Sequence, residues 1–129
     1  MLYIENTRIQ AQPTDTIEGQ QGAGTFFVKP LMQGEHMALL EIRVQAGTVS
    51  AVHAHSHESL IYVVSGKLST VIGNQTFVLG PGDVCRHPGS TAHRVEALED
   101  TIFVEIKSPL PELRKTLGLA DGSAASLEA

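Results

Sequence analysis

Residues 47–66 read GTVSAVHAHSHESLIYVVSG and carry three of the six histidines at alternating positions, His53, His55 and His57. In a β-strand, residues two apart point to the same face and lie roughly 6.6 Å apart along the chain, so two imidazoles can lean onto one metal ion. In an α-helix the same two residues would point about 200° apart, because each residue turns the chain by roughly 100°. The flanking residues 49–52 and 60–64 favour a strand, so this stretch predicts a chelating histidine pair.

Short apolar runs closed by turn residues continue on both sides of this stretch. Such runs are TFFVKPLM (25–32), MALLEIRV (37–44), KLSTVI (67–72), TFVL (76–79), DVCRHP (83–88) and TIFVEI (101–106). The Gly73-Asn74 pair between two of them is a hairpin signal. Short strands separated by Gly and Pro at this spacing predict an all-β protein, either a barrel or a sandwich.

The chain divides into three parts by composition. Residues 1–24 are polar and are predicted to form an irregular N-terminal arm that can carry one edge strand at its start. Residues 25–108 are predicted to form the β-barrel. Within residues 109–129, Pro111 followed by ELRKTLGL predicts a short C-terminal helix, and the residues after it are predicted to form a flexible tail.

The overall composition limits the class of protein. The chain has 129 residues, which suits one domain, and a net charge of −5 with scattered Lys and Arg, which argues against a nucleic-acid partner. Cys85 is the only cysteine, so no internal disulfide can form. No signal peptide and no membrane-spanning stretch are visible, so we expect a cytoplasmic protein with no membrane partner.

A third ligand has to come from elsewhere in the chain. His93 is the best candidate, because it follows the turn at residues 88–90, where a new strand begins. His87, just before that turn, is the weaker candidate. The histidines could also be polar barrel residues that only form hydrogen bonds, but neutral imidazole is the commonest metal ligand in proteins.

Two segments resemble the paired motifs of the cupin family. In residues 47–66, Gly47 is followed after five residues by His53-x-His55, and Gly66 lies eleven residues after His55. In residues 82–93, GDVCRHPGSTAH, a proline follows six residues after the glycine, and the histidine follows five residues after that proline. The resemblance covers roughly residues 36–108 and is closest to small single-domain bacterial cupins of the type-2, RmlC-like group.

The resemblance implies a double-stranded β-helix, or jelly roll, with one divalent metal ion inside. It implies His53, His55 and His93 as ligands; the ion could be Zn, Ni, Mn or Fe. The family's further carboxylate or amide ligand corresponds here to Ser59, which is a weak ligand. His57 has the parity to turn inward instead, whereas Glu58 faces the other side of a strand. Ser90 and Ala97 also depart from the second motif, which usually has Gly and Asn there.

Several other residues have open roles. Arg43, Glu105 and Lys107 are outward-facing charges unless one points into the barrel, where it would become an acid, a base or a substrate clamp. His87 and Arg86 are either solvated strand residues or part of a pocket rim. Cys85 is predicted to be a buried, inert thiol.

Two classes of function follow from these features. The first is a metalloenzyme that acts on a small polar molecule, sugar- or keto-acid-like, by isomerase, lyase or oxygenase chemistry. The second is a non-catalytic module that binds a metal or a small ligand, such as a sensor. The polar arm and the edge strands need a cover, and small cupins usually pair, so we expect a homodimer.

Overall fold

The fold consists almost entirely of β-strands. The computed structural model describes residues 1–112, and in this range it contains a 3₁₀ helix, Asn6–Arg8, followed by nine strands. The strands are β1 (Gln12–Ile17), β2 (Gln20–Gln33), β3 (Ala38–Val44), β4 (Glu58–Ser65), β5 (Leu68–Ile72), β6 (Gln75–Leu79), β7 (Val84–His87), β8 (His93–Ala97) and β9 (Thr101–Ser108). The all-β prediction is confirmed; the C-terminal helix was predicted mainly on residues 113–129, which lie outside the described residues.

The strands form two antiparallel sheets that enclose the core as a jelly roll. In the described part of the chain, the larger sheet has the order β1-β2-β3-β9-β4-β7 and the smaller has the order β6-β5-β8. Isolated bridges between Ala23 and Val49, Val49 and Glu96, and His53 and His93 fasten the connection between β3 and β4 to neighbouring segments. These bridges bring a long irregular segment close to β8.

The interior changes from apolar to polar along the barrel. Leu40, Ile42, Val63 and Phe103 belong to one continuous apolar cluster. Further along, many inward-facing positions are polar: the buried polar residues include His53, His55, His57, Ser59, Thr70, His87, His93, Glu105 and Lys107. Burying this many polar groups costs free energy unless each has a hydrogen-bonding or ionic partner. Their concentration at this end of the barrel therefore indicates a functional site.

Residues 1–24 contain more regular structure than the predicted irregular arm. β1 lies wholly inside this range, and β2 runs through the predicted boundary at residue 25. The hairpin is closed by Glu18 and Gly19, whose φ angles are 53° and 74°, the backbone of a tight two-residue turn. The signal was missed because β1 is polar: only Thr14 of its six residues is buried, and it has no apolar run.

Candidate metal centre

The side chains of residues 53–57 alternate between buried and exposed as in a strand, although these residues do not form one. β4 begins only at Glu58, and of the preceding residues His53 forms an isolated bridge with His93. His53, His55 and His57 are nevertheless buried, while Ala54 and Ser56 between them are exposed. The burial therefore alternates as predicted, although the predicted strand is absent and Ser56 and His57 lie in a bend.

The structure brings His53, His55 and His93 together. One ring nitrogen of each lies within 4.8 Å of those of the other two, and all three residues are buried. The ring centroids are 4.3 Å apart for His53 and His93 and 4.7 Å apart for His55 and His93. The backbones of His53 and His93 also exchange two hydrogen bonds, of 3.0 and 2.9 Å, which fix the two rings relative to each other.

Each of the three imidazoles is held as the same tautomer. Nδ1 of His53 lies 2.8 Å from the carbonyl oxygen of Ala51, Nδ1 of His55 lies 2.6 Å from that of His57, and Nδ1 of His93 lies 2.9 Å from that of Thr91. A carbonyl oxygen only accepts, so Nδ1 carries the proton and Nε2 carries the lone pair. This is how metal-binding histidines are oriented by a second hydrogen bond.

The lone pair on His55 Nε2 has no partner within the described residues. This atom is buried and makes no hydrogen bond. An unpaired buried acceptor is costly, and a cation held jointly with the other two imidazoles would satisfy it. The residues present therefore fit a metal ion, and the cluster could hold one.

Burial keeps the three imidazoles neutral. It lowers the pKa of His53 to about 4, and it also lowers the pKa values of His55 and His93, although a backbone hydrogen bond to each ring acts in the opposite direction. A neutral imidazole is the form that binds a metal. At neutral pH the site therefore needs to lose no proton before it takes up a cation.

His57 lies beside the three histidines, between His55 and Lys107. Its ring stacks on that of His55, with centroids 3.7 Å apart and planes 3° apart. Its Nε2 lies 3.4 Å from Lys107 Nζ. Glu18, His55 and His57 also form a second group whose ligand atoms lie within 4.8 Å of one another.

Ser59 lies on β4 between two polar residues of the neighbouring strands. It pairs with His87 on β7 and with Lys107 on β9, and all three side chains are buried. Its hydroxyl is buried and has no hydrogen-bond partner among the described residues. Glu58 faces outward, as predicted from parity, with Oε2 3.5 Å from Arg86 Nη1.

Two of the three charged residues with open roles point into the barrel. Lys107 and Glu105 are 2% and 8% exposed, and Lys107 Nζ lies 3.1 Å from Glu105 Oε2. Burial raises the pKa of Glu105, but the charge of Lys107, a smaller contribution from His87 and a hydrogen bond from Lys107 outweigh it, so the pKa is lowered overall. Arg43 faces outward, 3.5 Å from Glu41.

Glu105 and Lys107 share a small cavity with the histidines. The cavity has a volume of about 20 Å³ and its polar lining is His53, His87, His93, Glu105 and Lys107. This is enough for about one water molecule. A larger pocket of about 320 Å³ lies against His55 and His57 and is also lined by Glu18, Ser56 and residues 109–112.

The prediction for Cys85 agrees with the structure better than the prediction for His87. A solvated His87 was one of two alternatives, but His87 is 2% exposed and its Nε2 lies 2.8 Å from the hydroxyl of Thr70. Thr70 carries no sequence signal beyond its alternation within β5. Cys85 is half-buried, and burial raises the pKa of its thiol to about 11, which agrees with an inert thiol.

The comparisons with known proteins agree with this architecture. Among curated proteins, an uncharacterized protein of Streptomyces coelicolor is 22% identical over 98 residues, 76% of this chain and 93% of the relative. Among solved structures, KdgF from Halomonas sp. has a TM-score of 0.75 at 23% identity and covers 85% of this chain and 96% of that chain. An RmlC-like cupin from Shewanella frigidimarina has a TM-score of 0.74 at 20% identity, covering 87% and 94% of the two chains.

A predicted oxalate decarboxylase from Thermotoga maritima has a TM-score of 0.74 at 16% identity and covers 84% of this chain and 100% of that chain. At these identities the solved structures establish the fold. Within residues 1–112 there is no helix with the length and apolar character to cross a membrane. A family model described as "Cupin domain" matches residues 40–106, more than half of the 129 residues, and the chain therefore belongs to the cupin family.

Proposed function

We propose that His53, His55 and His93 bind one divalent metal ion through Nε2, and that the site acts on a small polar molecule. The observation that carries this proposal is the common tautomer of the three imidazoles, which leaves three lone pairs pointing at one another in a buried site. Zn, Ni, Mn and Fe all accept imidazole ligands. Bound there, the ion would polarise a carbonyl or carboxylate oxygen.

The surrounding residues support an enzyme that acts on a sugar- or keto-acid-like molecule. The pocket of about 320 Å³ beside His55 and His57 is large enough for a small molecule. Glu105 and Lys107 supply a carboxylate and an ammonium group that could move a proton or hold an anionic group. Isomerase, lyase and oxygenase chemistry all fit these groups. One of the solved relatives is named a predicted oxalate decarboxylase, which denotes a small carboxylate substrate.

One observation favours a second candidate, a module that binds a metal or a small ligand without catalysis. The cavity between the histidines and the Glu105–Lys107 pair holds only about one water molecule, so a substrate cannot reach this pair without a rearrangement. This candidate would be favoured if the metal-loaded protein bound a sugar or keto acid tightly but converted none.

We also propose that the chain forms a homodimer through the outer face of β4, β7 and β9. Leu60, Tyr62 and Val84 on this face are 48%, 50% and 68% exposed. They line a groove of about 440 Å³ together with Val104 and Ile106. A contiguous exposed apolar patch on a sheet that ends at β7 is typical of an interface, and a second copy would cover both the patch and the edge strand.

The metal proposal is tested by elemental analysis of protein purified without chelator. We expect close to one metal ion per chain, and a loss of that metal in His53→Ala. His36→Ala is the matched control, because His36 is exposed and lies outside the cluster. Circular dichroism establishes that His53→Ala folds, and His93→Gln serves as the second variant. Full metal content in a folded His53→Ala variant would contradict the proposed ligands.

A further inference from the structure

The three proposed ligands bring no negative charge to the metal. His53, His55 and His93 are neutral imidazoles, so a divalent ion held by them keeps its full charge in a buried site. Ser59, at the nearest inward-facing position of β4, is neutral as well. A buried charge without compensation is unfavourable, so a site of this kind calls for an anionic group close by.

Glu105 is placed to supply that charge. Its carboxylate is nearly buried and faces the cavity that His53 and His93 also line. Other carboxylates of neighbouring strands point away: Glu58 and Glu41 form ion pairs with arginines whose side chains are exposed. The ion pair of Glu105 with Lys107, the next inward-facing residue of β9, holds the carboxylate on the cavity side of the strand.

Lys107 opposes the charge compensation by Glu105. Its ammonium group lies 3.1 Å from the Glu105 carboxylate and faces the same cavity. Its Nζ also lies 3.4 Å from Nε2 of His57, whose ring stacks on that of His55. A positive charge in this cavity disfavours a metal cation held by the neighbouring imidazoles, and a negative charge favours it.

We propose that Glu105 is the charge-compensating carboxylate of the metal centre and that Lys107 holds this carboxylate while weakening metal binding. The inference rests on the proposed metal site and concerns how strongly this site holds its ion. Removing the carboxylate would leave the ammonium group and the metal facing each other without compensation. Removing the ammonium group would release the carboxylate to act on the metal alone.

The two substitutions therefore have opposite effects on affinity. Glu105→Gln is expected to weaken binding of Zn²⁺ or Co²⁺ on the order of tenfold, and Lys107→Met to strengthen it by a similar factor, since unit charges within several ångströms in a partly buried site interact on this scale. The affinities are measured by isothermal titration calorimetry on chelator-treated protein. The absorption spectrum of the Co²⁺ form is a second readout, and it needs no substrate.

Matched controls lie on the outside of the same barrel. Glu58→Gln removes an exposed carboxylate next to Ser59, and Lys67→Met removes the exposed partner of Glu99. Both are expected to leave the affinity within about twofold of the unmodified chain, because exposed charges are screened by solvent. Thermal unfolding checks that each variant is folded, and Lys107→Gln replaces Lys107→Met if the latter is not.

The outcomes separate this inference from the metal proposal itself. A metal affinity that falls in Glu105→Gln and rises in Lys107→Met, with unchanged affinities in both controls, supports the assignment. Equal affinities in all variants, or a loss of affinity in both inner variants, overturn the role of Glu105 and leave the metal site standing. Absence of binding by the unmodified chain overturns the metal site and this inference together.

Discussion

His87 and His93 lie with their rings stacked, 4.1 Å between centroids and 17° between planes, but they are held as opposite tautomers. His93 donates from Nδ1 to the carbonyl of Thr91. The hydroxyl of Thr70 donates its one proton to the carbonyl of Arg94, 3.0 Å away, so it accepts from Nε2 of His87 at 2.8 Å. His87 therefore presents an N–H where His93 presents a lone pair, which explains why it packs against the cluster without joining it.

The first prediction concerns Thr70, which carries no exposed surface. Thr70→Val keeps the shape of the side chain but leaves the Nε2–H of His87 and the carbonyl of Arg94 without this partner. We expect a loss of roughly 1–3 kcal/mol in the free energy of unfolding, measured by urea denaturation. Thr70→Ser keeps the hydroxyl and should lose less. Equal losses in the two variants would mean that packing, not hydrogen bonding, dominates at this position.

The positions of Glu105 and Lys107 show where prediction from sequence stops. In TIFVEIKS, residues 101–108, alternation would send the apolar Ile102, Val104 and Ile106 inward and the two charges outward. The structure has the reverse, because this end of the barrel is polar inside and apolar outside. When one side of a strand is charged and the other is apolar, the rest of the fold decides which side faces inward. The periodicity of the sequence does not contain this information.

The cluster of His53, His55 and His93, by contrast, could be predicted in part from local geometry. The spacing of His53 and His55 sets their shared direction whether the segment is a regular strand or only extended. His93 follows a turn that fixes where its strand begins. Thr70 could not be found this way, because its contact with His87 joins strands of different sheets and depends on the closure of the barrel.

The second prediction concerns pH. Burial lowers the pKa of His53 to about 4 and those of His57 and His87 to about 3, whereas the unfolded chain has ordinary histidines near 6.5. Between pH 6.5 and 4 the unfolded chain thus binds more protons than the folded chain, so the free energy of unfolding falls as the pH falls. The lowered pKa of Glu105 acts in the same direction.

Urea midpoints measured with chelator present should therefore decrease steadily from pH 7 to pH 5. His87→Gln removes one of these groups and should make the decrease shallower. A midpoint that stays constant over this range would show that the buried histidines take up protons as readily as those of the unfolded chain.

The third prediction compares two glycines with the same backbone. Gly47 and Gly66 have φ angles of 90° and 91°. A Cβ at Gly47 would meet nothing within 4 Å, whereas one at Gly66 would collide with the backbone oxygen of Asp100. Gly47→Ala is expected to cost roughly 1–2 kcal/mol for the left-handed backbone alone, and Gly66→Ala distinctly more, because backbone has to move.

The two alanine variants gain the same side chain in the unfolded chain, so their difference in the free energy of unfolding reports the collision. It is measured by chemical denaturation under identical conditions. Equal values would mean that the turn at residues 65–67 can shift away from Asp100 at little cost.

The fourth prediction concerns assembly. The outer face of β4, β7 and β9 carries the exposed apolar side chains Leu60, Tyr62, Val64, Val84 and Ile106, and Val84 is the most exposed of these at 68%. Val84→Glu would place a charge in the proposed interface, and we expect it to convert a dimer into a folded monomer in size-exclusion chromatography with light scattering. Leu98→Glu is the matched control, since Leu98 is also exposed but follows β8, a strand of the smaller sheet. A monomeric unmodified chain at tens of micromolar would contradict the dimer, and a Val84→Glu variant that remains dimeric would move the interface to another face, because a buried unpaired carboxylate is too costly to keep in it.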